Sequence, residues 1–294
     1  MTVQSWEFGF NGLIFGGDRA ISVETVDGLS EPPVRDSVGL KLADHGALVS
    51  AKYMPERRIV FSGSITGAPI SGGAGAPSTQ AHAYAVALAE ALVPRPDGLP
   101  LPLVFRMGDG IERVVYCLPT RIAFPVDIGY GLGSIQWMAE FLAGDARIYE
   151  WKQRGTLITP GLSLSGLDFG GPGSGLDFGG GSGGFGSAPN IGTISTLPLA
   201  TIQGPATNPM LQKASTGEFV KVNLSLAGSD SLVIDFNART IVLNGAASRY
   251  YALDPGSTWF GLDPGANTLQ FFADGATSMT SVTVTWQSAW AAAI

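Results

Sequence analysis

Residues 220–245 read VKVNLSLAGSDSLVIDFNARTIVLNG. Val220, Val222, Leu224 and Leu226 alternate with Lys221, Asn223 and Ser225, so an extended strand here has one apolar and one polar face. Leu232, Ile234 and Phe236 then alternate with Val233, Asp235 and Asn237, and Ile241 and Leu243 run into Asn244-Gly245. A helix would space its apolar residues three and four apart; a two-residue period belongs to a half-buried strand. Asn-Gly accepts the left-handed backbone of a tight hairpin. Short strands separated by turns are the opening of an antiparallel sandwich.

The pattern continues on both sides. Asp254-Pro255-Gly256 and Asp263-Pro264-Gly265 mark turns, Leu269 and Phe271 alternate, and Val282, Val284 and Trp286 close the series. Residues 191–294 are therefore predicted to form an antiparallel β-sandwich of galectin-like jelly-roll type. Val220, Val222, Val284 and Trp286 are its expected core.

Residues 1–153 read as a β-sandwich or barrel-like domain with one α-helix. Ile59, Phe61 and Ile65 alternate with Val60 and Ser64, and Arg113–Leu118 and Ser134–Leu142 are further strand candidates. Gly108-Asp109-Gly110 marks a hairpin between Leu103–Met107 and Ile111–Tyr116. The helix is predicted from about Ser78 to Val93, with Ser78 or Thr79 as its cap and Pro94 as its stop. Ala81, Tyr84, Ala85, Leu88 and Leu92 share one face; Ala83, Ala87 and Ala91 form an opposite face that another backbone can approach. A bulky residue at Ala87 is expected to impair oligomerisation.

Residues 154–190 read as a connecting segment. Twelve of the thirty residues from Gly161 to Asn190 are glycine, and SGLDFGG at 165–171 returns at 174–180. A flexible linker is one reading. The paired side chains Leu167 with Phe169 and Leu176 with Phe178 favour the other, docking against a domain or a neighbouring subunit.

Composition limits the function. With 45% apolar and 14% charged residues the chain is not a disordered one. Seventeen Lys+Arg against 24 Asp+Glu leave −7, and no section has a basic excess, which argues against a surface that grips nucleic-acid phosphates. Cys117, the single cysteine, has no internal disulfide partner and lies in the apolar run Val114–Leu118, where a buried inert thiol is expected. The N-terminus shows no basic stretch leading into an apolar one. Tyr84–Val93 is too short to span a bilayer. A soluble chain without membrane insertion is expected.

No constellation for catalysis stands out. His45 and His82 have no partners at metal-ligand spacing. Gly129-Tyr130-Gly131-Leu132-Gly133 fails the dinucleotide spacing and lacks a following helix. Gly180-Gly181-Ser182-Gly183-Gly184 matches a hydrolase elbow only in its letters, since that elbow needs a strained strand-to-helix turn. Asp254 and Asp263 read as carboxylates that bond their own turns. Tyr250, Tyr251, Trp259 and Trp290 are read as core or interface rings, or else as a platform for a sugar. The sequon Asn223-Leu224-Ser225 has no meaning without secretion. No catalytic, cofactor-binding or metal residue is assigned, and a wall-degrading hydrolase lacks a nucleophile–base or metal set.

The order of segments resembles a known family. Gly28–Arg35 (GLSEPPVR), a short hairpin, Arg57–Ile65 (RRIVFSGSI), the strand Gln136–Leu142 and Gly144–Tyr149 (GDARIY) are similar to the N-terminal domain of siphophage distal tail proteins, the siphovirus-type tail component family. Ile202–Pro209 (IQGPATNP), Arg239–Gly245 (RTIVLNG), Leu253–Trp259 (LDPGSTW) and Pro264–Leu269 (PGANTL) are similar to its C-terminal sandwich. The resemblance implies a non-enzymatic structural protein of the virion tail tip, assembled in the host bacterial cytoplasm. It implies a ring, typically of six copies, between the tail tube and the tail-tip or baseplate complex. The implied partners are other copies of the chain, the tail tube protein, the tail-tip hub with other minor tail proteins, and the tape measure protein. An acidic ring would let DNA pass without specific binding. The alternative function is a carbohydrate-binding module that contacts the host envelope through the C-terminal sandwich.

Overall fold

The computed structural model describes residues 2–35, 38–41, 45, 47–49, 53–67, 77–160 and 184–293. They form two compact units, Met1–Lys152 with Trp290–Ile294, and Gln153–Ala289. The chain is mainly β.

The first unit contains β1 (Glu7–Phe10), β2 (Leu13–Gly16), β3 (Thr25–Asp27), β4 (Val38–Leu40), β5 (Ala47–Val49) and β6 (Arg57–Thr66). Helix α1 (Pro77–Ala91) follows, then β7 (Leu101–Arg106), β8 (Glu112–Ala123), α2 (Ile128–Leu132), β9 (Ser134–Ala143) and β10 (Ile148–Glu150). The main sheet runs β2-β1-β7-β8-β9-β6-β3, with β10 also on β8. Strand β8 pairs with β7 up to Cys117 and with β9 from Leu118, and its register shifts between Pro119 and Arg121. A bulge of this kind bends a strand and lets one sheet curl around its own core. β6 and β9 pair without interruption from Arg57↔Ala143 to Thr66↔Ser134.

The expected two-residue period holds in β6: Ile59, Phe61, Gly63 and Ile65 are buried while Val60, Ser62 and Ser64 are only half-buried. They meet an aromatic core in which Phe8 and Phe61 lie 4.9 Å apart, and Phe10 and Phe141 5.0 Å apart, edge to face. The positive ring edge against the negative ring face makes this the favoured arrangement. The hairpin at Gly108-Asp109-Gly110 joins β7 to β8 as expected, with Gly110 at φ 77°.

Two details of the helices differ from expectation. α1 begins at Pro77, which suits a first helical position because its missing N–H would have no partner there. Ser78 and Thr79 therefore lie inside the first turn. Ala81, Ala85, Leu88 and Ala91 are buried, so Ala91 faces the core while Tyr84 is partly exposed. α2, over the GYGL stretch, is a second helix where the domain was expected to have one. Asp127 accepts a hydrogen bond from the Tyr130 N–H at 3.3 Å, and Gly133 ends the helix at φ 84°. Over so short a helix, two good caps outweigh the poor helix propensity of glycine.

The second unit contains β11 (Arg154–Ile158), β12 (Gly184–Ser187), β13 (Leu199–Gln203), β14 (Ala206–Lys213), β15 (Phe219–Lys221) and β16 (Ser225–Leu226). It continues with β17 (Ser231–Asp235), β18 (Thr240–Leu243), β19 (Ala247–Ser248), β20 (Thr268–Asp274) and β21 (Ser281–Trp286). One sheet runs β11-β21-β13-β17-β18-β19, the other β12-β20-β14-β15 with β16 on β14. The pairings are antiparallel. Val220, Val222, Leu232, Ile234, Phe236, Ile241, Leu269, Phe271, Val282, Val284 and Trp286 fill its core.

The domain bounds expected at 153/154 and 190/191 shift. β11 and β12 lie within the segment read as a connector, yet each completes an edge of the sandwich. Glycine richness hid β12: a Cβ at Gly186 would stand 2.5 Å from Ile158 Cγ1, so the approach of the two strands requires glycine. At the other end, Trp290–Ile294 belongs to the first unit. The repeats at 165–171 and 174–180 lie outside the described residues. The strand read from 220 to 226 is split into β15 and β16; Val222 bridges Leu253 instead, and β14 bulges between Thr207 and Met210.

Candidate functional site

The residues singled out from sequence have specific surroundings. His82 is exposed on α1, its Nδ1 2.6 Å from the Tyr130 hydroxyl. Among the described residues no group of three His, Cys, Asp or Glu is placed to hold a metal. Ser182 lies outside them. Asp254 accepts from Asn223 Nδ2 at 3.0 Å and from the Gly256 N–H at 2.9 Å, and these two bonds hold its carboxyl below the usual range. The Asp263 backbone is held in its turn by Asn267, which accepts from the Asp263 N–H and donates to the Asp263 carbonyl, but the Asp263 carboxylate points elsewhere. It receives Lys213 Nζ at 2.5 Å, while the same buried ammonium donates to the Gly261 carbonyl at 2.9 Å.

The four rings weighed as a sugar platform have different surroundings. Trp259 packs edge-on against Phe236, with centroids 5.4 Å apart. Trp290 is buried in the first unit, with the Arg113 guanidinium 4.8 Å from its ring centre. Only Tyr250 and Tyr251, on a 3-10 turn, remain exposed.

The strongest electrostatics serve the fold. Arg57, on β6, is fully buried and donates to the carbonyls of Gly28, Glu31, Ala146 and Ala291. Burial lowers its pKa to about 10. Arg113 makes a two-pronged pair with Asp109, at 2.9 and 2.6 Å, which holds that carboxyl below the usual range. The Tyr149 hydroxyl donates to Asp145 at 2.5 Å; burial, then the carboxylate's charge, raises its pKa. Cys117 is buried and its thiol pKa is pushed up to about 12, as an inert thiol requires. An open depression of about 390 Å³ lined by Gln4, Trp6, Glu7, Asp18 and Arg19 holds a carboxylate already paired, Glu7 with Arg19 at 2.9 Å.

Exposed apolar side chains form the more informative feature. In the first unit Val126, Ile128 and Leu132 are 83%, 86% and 74% exposed around α2, Val86 projects from α1, and Val93 is exposed just beyond its end. The two helices are in contact and are joined by the His82–Tyr130 bond. In the second unit Leu157 on β11 and Phe185 on β12 are exposed at the strands that end the two sheets. Where such side chains cluster, as around α2, they are candidates for a contact surface. No local signal in the sequence singled out α2, because its apolar residues sit in a loop-like glycine context.

The chain is β-rich, in two units that expose apolar side chains on α2 and on edge strands. Residues 191–290 match the family described as siphovirus-type tail component, C-terminal domain. Over nearly its full length the chain is similar to the Dit protein of phage SPP1, described as a paradigm of the hub adsorption apparatus in phages infecting Gram-positive bacteria. The TM-score is 0.65 at 16% identity, covering 96% of this chain and 98% of that one. Weaker likenesses are to chains of the phage p2 baseplate in its activated conformation. With calcium the TM-score is 0.47 at 7% identity, covering 95% and 97% of the two chains; with strontium it is 0.46 at 7%, covering 95% and 96%. No curated protein matches the sequence. The resemblance read from the sequence is borne out: the chain has a Dit-like fold, and residues 191–290 match the siphovirus-type tail-component C-terminal domain.

Proposed function

We propose that the chain is a structural distal tail protein located at the tip of a siphophage tail. Six copies form a ring through the first unit, and the ring joins the tail tube to the tail-tip complex. Its neighbours are the tube protein above, the hub and minor tail proteins below, and the tape measure protein in passing. The supporting observation is the end-to-end likeness to SPP1 Dit together with the family match on residues 191–290. A closed ring needs two different surfaces on each copy, and the first unit offers both the α1–α2 surface and the strands β2 and β3 that, among the described residues, end its main sheet. The net charge of −7 per copy gives a ring that DNA crosses without adhering. Electron microscopy of the purified full chain tests this: sixfold rings are expected, and fields of single particles of monomer size contradict it.

A further inference from the structure

We infer that residues 290–293 are a latch that keeps the first unit unfinished, and so unable to enter a ring, until the whole second unit has been synthesised. This deepens the ring reading and rests on it. These residues follow the second unit in sequence but belong to the first in space. Trp290, in the short strand β22 (Ala289–Trp290), adds to the main sheet beside β10. Trp290 and Ala293 are both buried, in the same core cluster as Phe8, Phe61, Trp137 and Phe141. The Ala293 N–H donates to the Leu29 carbonyl at 2.8 Å.

The latch serves two buried cations. Arg57, on β6, donates from Nη2 to the Ala291 carbonyl, and Arg113, on β8, lies with its guanidinium 4.8 Å from the Trp290 ring centre. Without residues 290–293 the first loses an acceptor and the second its aromatic cover. A buried cation stripped in this way draws in water and loosens the strands around it. β6 and β8 flank β9 in the main sheet, α1 packs on β6 and β9, and α2 packs on β9. The α1–α2 surface offered to the ring therefore stands on strands that the latch holds. Synthesis supplies the delay. Chains grow at about 5–20 residues per second, so the stretch from Gln153 to Ala289 takes on the order of 10 s. During that time a finished first unit would meet copies still attached to ribosomes, whereas an unlatched one has no settled surface to offer them. A chain that stops anywhere within the second unit never acquires the latch.

The test compares the full chain with one ending at Ala289, by amide hydrogen exchange and by native mass spectrometry of a mixture in which the shorter chain is the minor component. In the shorter chain, exchange in β6 and β8 should be about a hundredfold faster, while β13 and β17 of the second unit exchange as in the full chain. The shorter chain should also be missing from the rings. A peptide of residues 289–294, AWAAAI, added at millimolar concentration should restore both the protection and the entry. If the shorter chain is insoluble, full-length Trp290→Ala carries the test, with exchange in β6 and β8 about tenfold faster and its share of the rings reduced. Ring entry by the shorter chain at the level of the full one overturns the inference. So does loosening that the peptide leaves unreversed, which marks a general failure to fold and not an empty seat. Rings from the full chain with unchanged exchange in the shorter one overturn the latch alone and leave the ring standing. A full chain that forms no ring overturns the ring reading and the inference with it.

Discussion

Arg57 and Ala291 stand 234 positions apart in sequence, yet the Arg57 Nη2 donates to the Ala291 carbonyl at 2.5 Å. The bond ties the last residues of the chain into the first unit, where the Ala293 N–H also donates to the Leu29 carbonyl at 2.8 Å. Gly28 supports the same point: its φ is 85°, and a Cβ there would stand 2.0 Å from the Arg58 carbonyl.

Replacing Arg57 by Ala leaves four carbonyls without their donor and opens a void. The first unit should lose about 3 kcal/mol of stability. Deleting residues 290–294 should destabilise the same unit, and the two changes together should cost less than their sum because they share one bond. Chemical denaturation of the variants measures both.

Trp286 lies in the core of the second unit and donates from Nε1 to the Pro189 carbonyl at 3.0 Å. Trp286→Ala should cost about 3–5 kcal/mol. A variant that melts with the parent would mean that the strand register is wrong.

The Lys213–Asp263 pair is lopsided, with Lys213 buried and the Asp263 side chain 61% exposed. Asp263→Ala strands a buried ammonium and should cost about 3 kcal/mol, whereas Lys213→Met removes the charge and leaves a carboxylate that water can still reach, for a cost of about 1 kcal/mol or less. The order of the two melting temperatures checks this.

Cys117 supplies a pH dependence. Its thiol pKa rises from 9.0 to about 12 on folding, so the unfolded chain ionises first. The stability that protonated Cys117 contributes is fully present below pH 9 and is lost as pH climbs toward 12, at up to about 1.4 kcal/mol per pH unit. Arg57 and Tyr149 also titrate in the alkaline range but are common to parent and variant. Cys117→Ala should therefore flatten the alkaline decline relative to the parent in denaturation curves recorded from pH 8 to 11.

The carbohydrate reading predicts saturable binding on a glycan array. With Trp259 and Trp290 committed to packing, the full chain should give no such signal. A saturable one that Tyr251→Ala abolishes would restore that role.

The strand phases were legible because burial imposes a two-residue period on the sequence. Val220 with Val222, and Ile59 with Phe61 and Ile65, faced inward as their spacing required. Contacts that join distant positions left no such mark. Nothing local to Trp290 shows that it packs under Arg113 in the first unit, and nothing around Arg57 announces its carbonyl cage. β12 was hidden by the glycines that let it approach Ile158, and α2 by glycines that its caps overrule. The exposed side chains of α2 were likewise invisible, since exposure is a property of the fold and not of the residue.

Native mass spectrometry of the purified full-length chain across a concentration series tests the central claim most directly. The ring reading predicts a discrete hexamer that gains population with concentration. A monomer persisting at every concentration would contradict it.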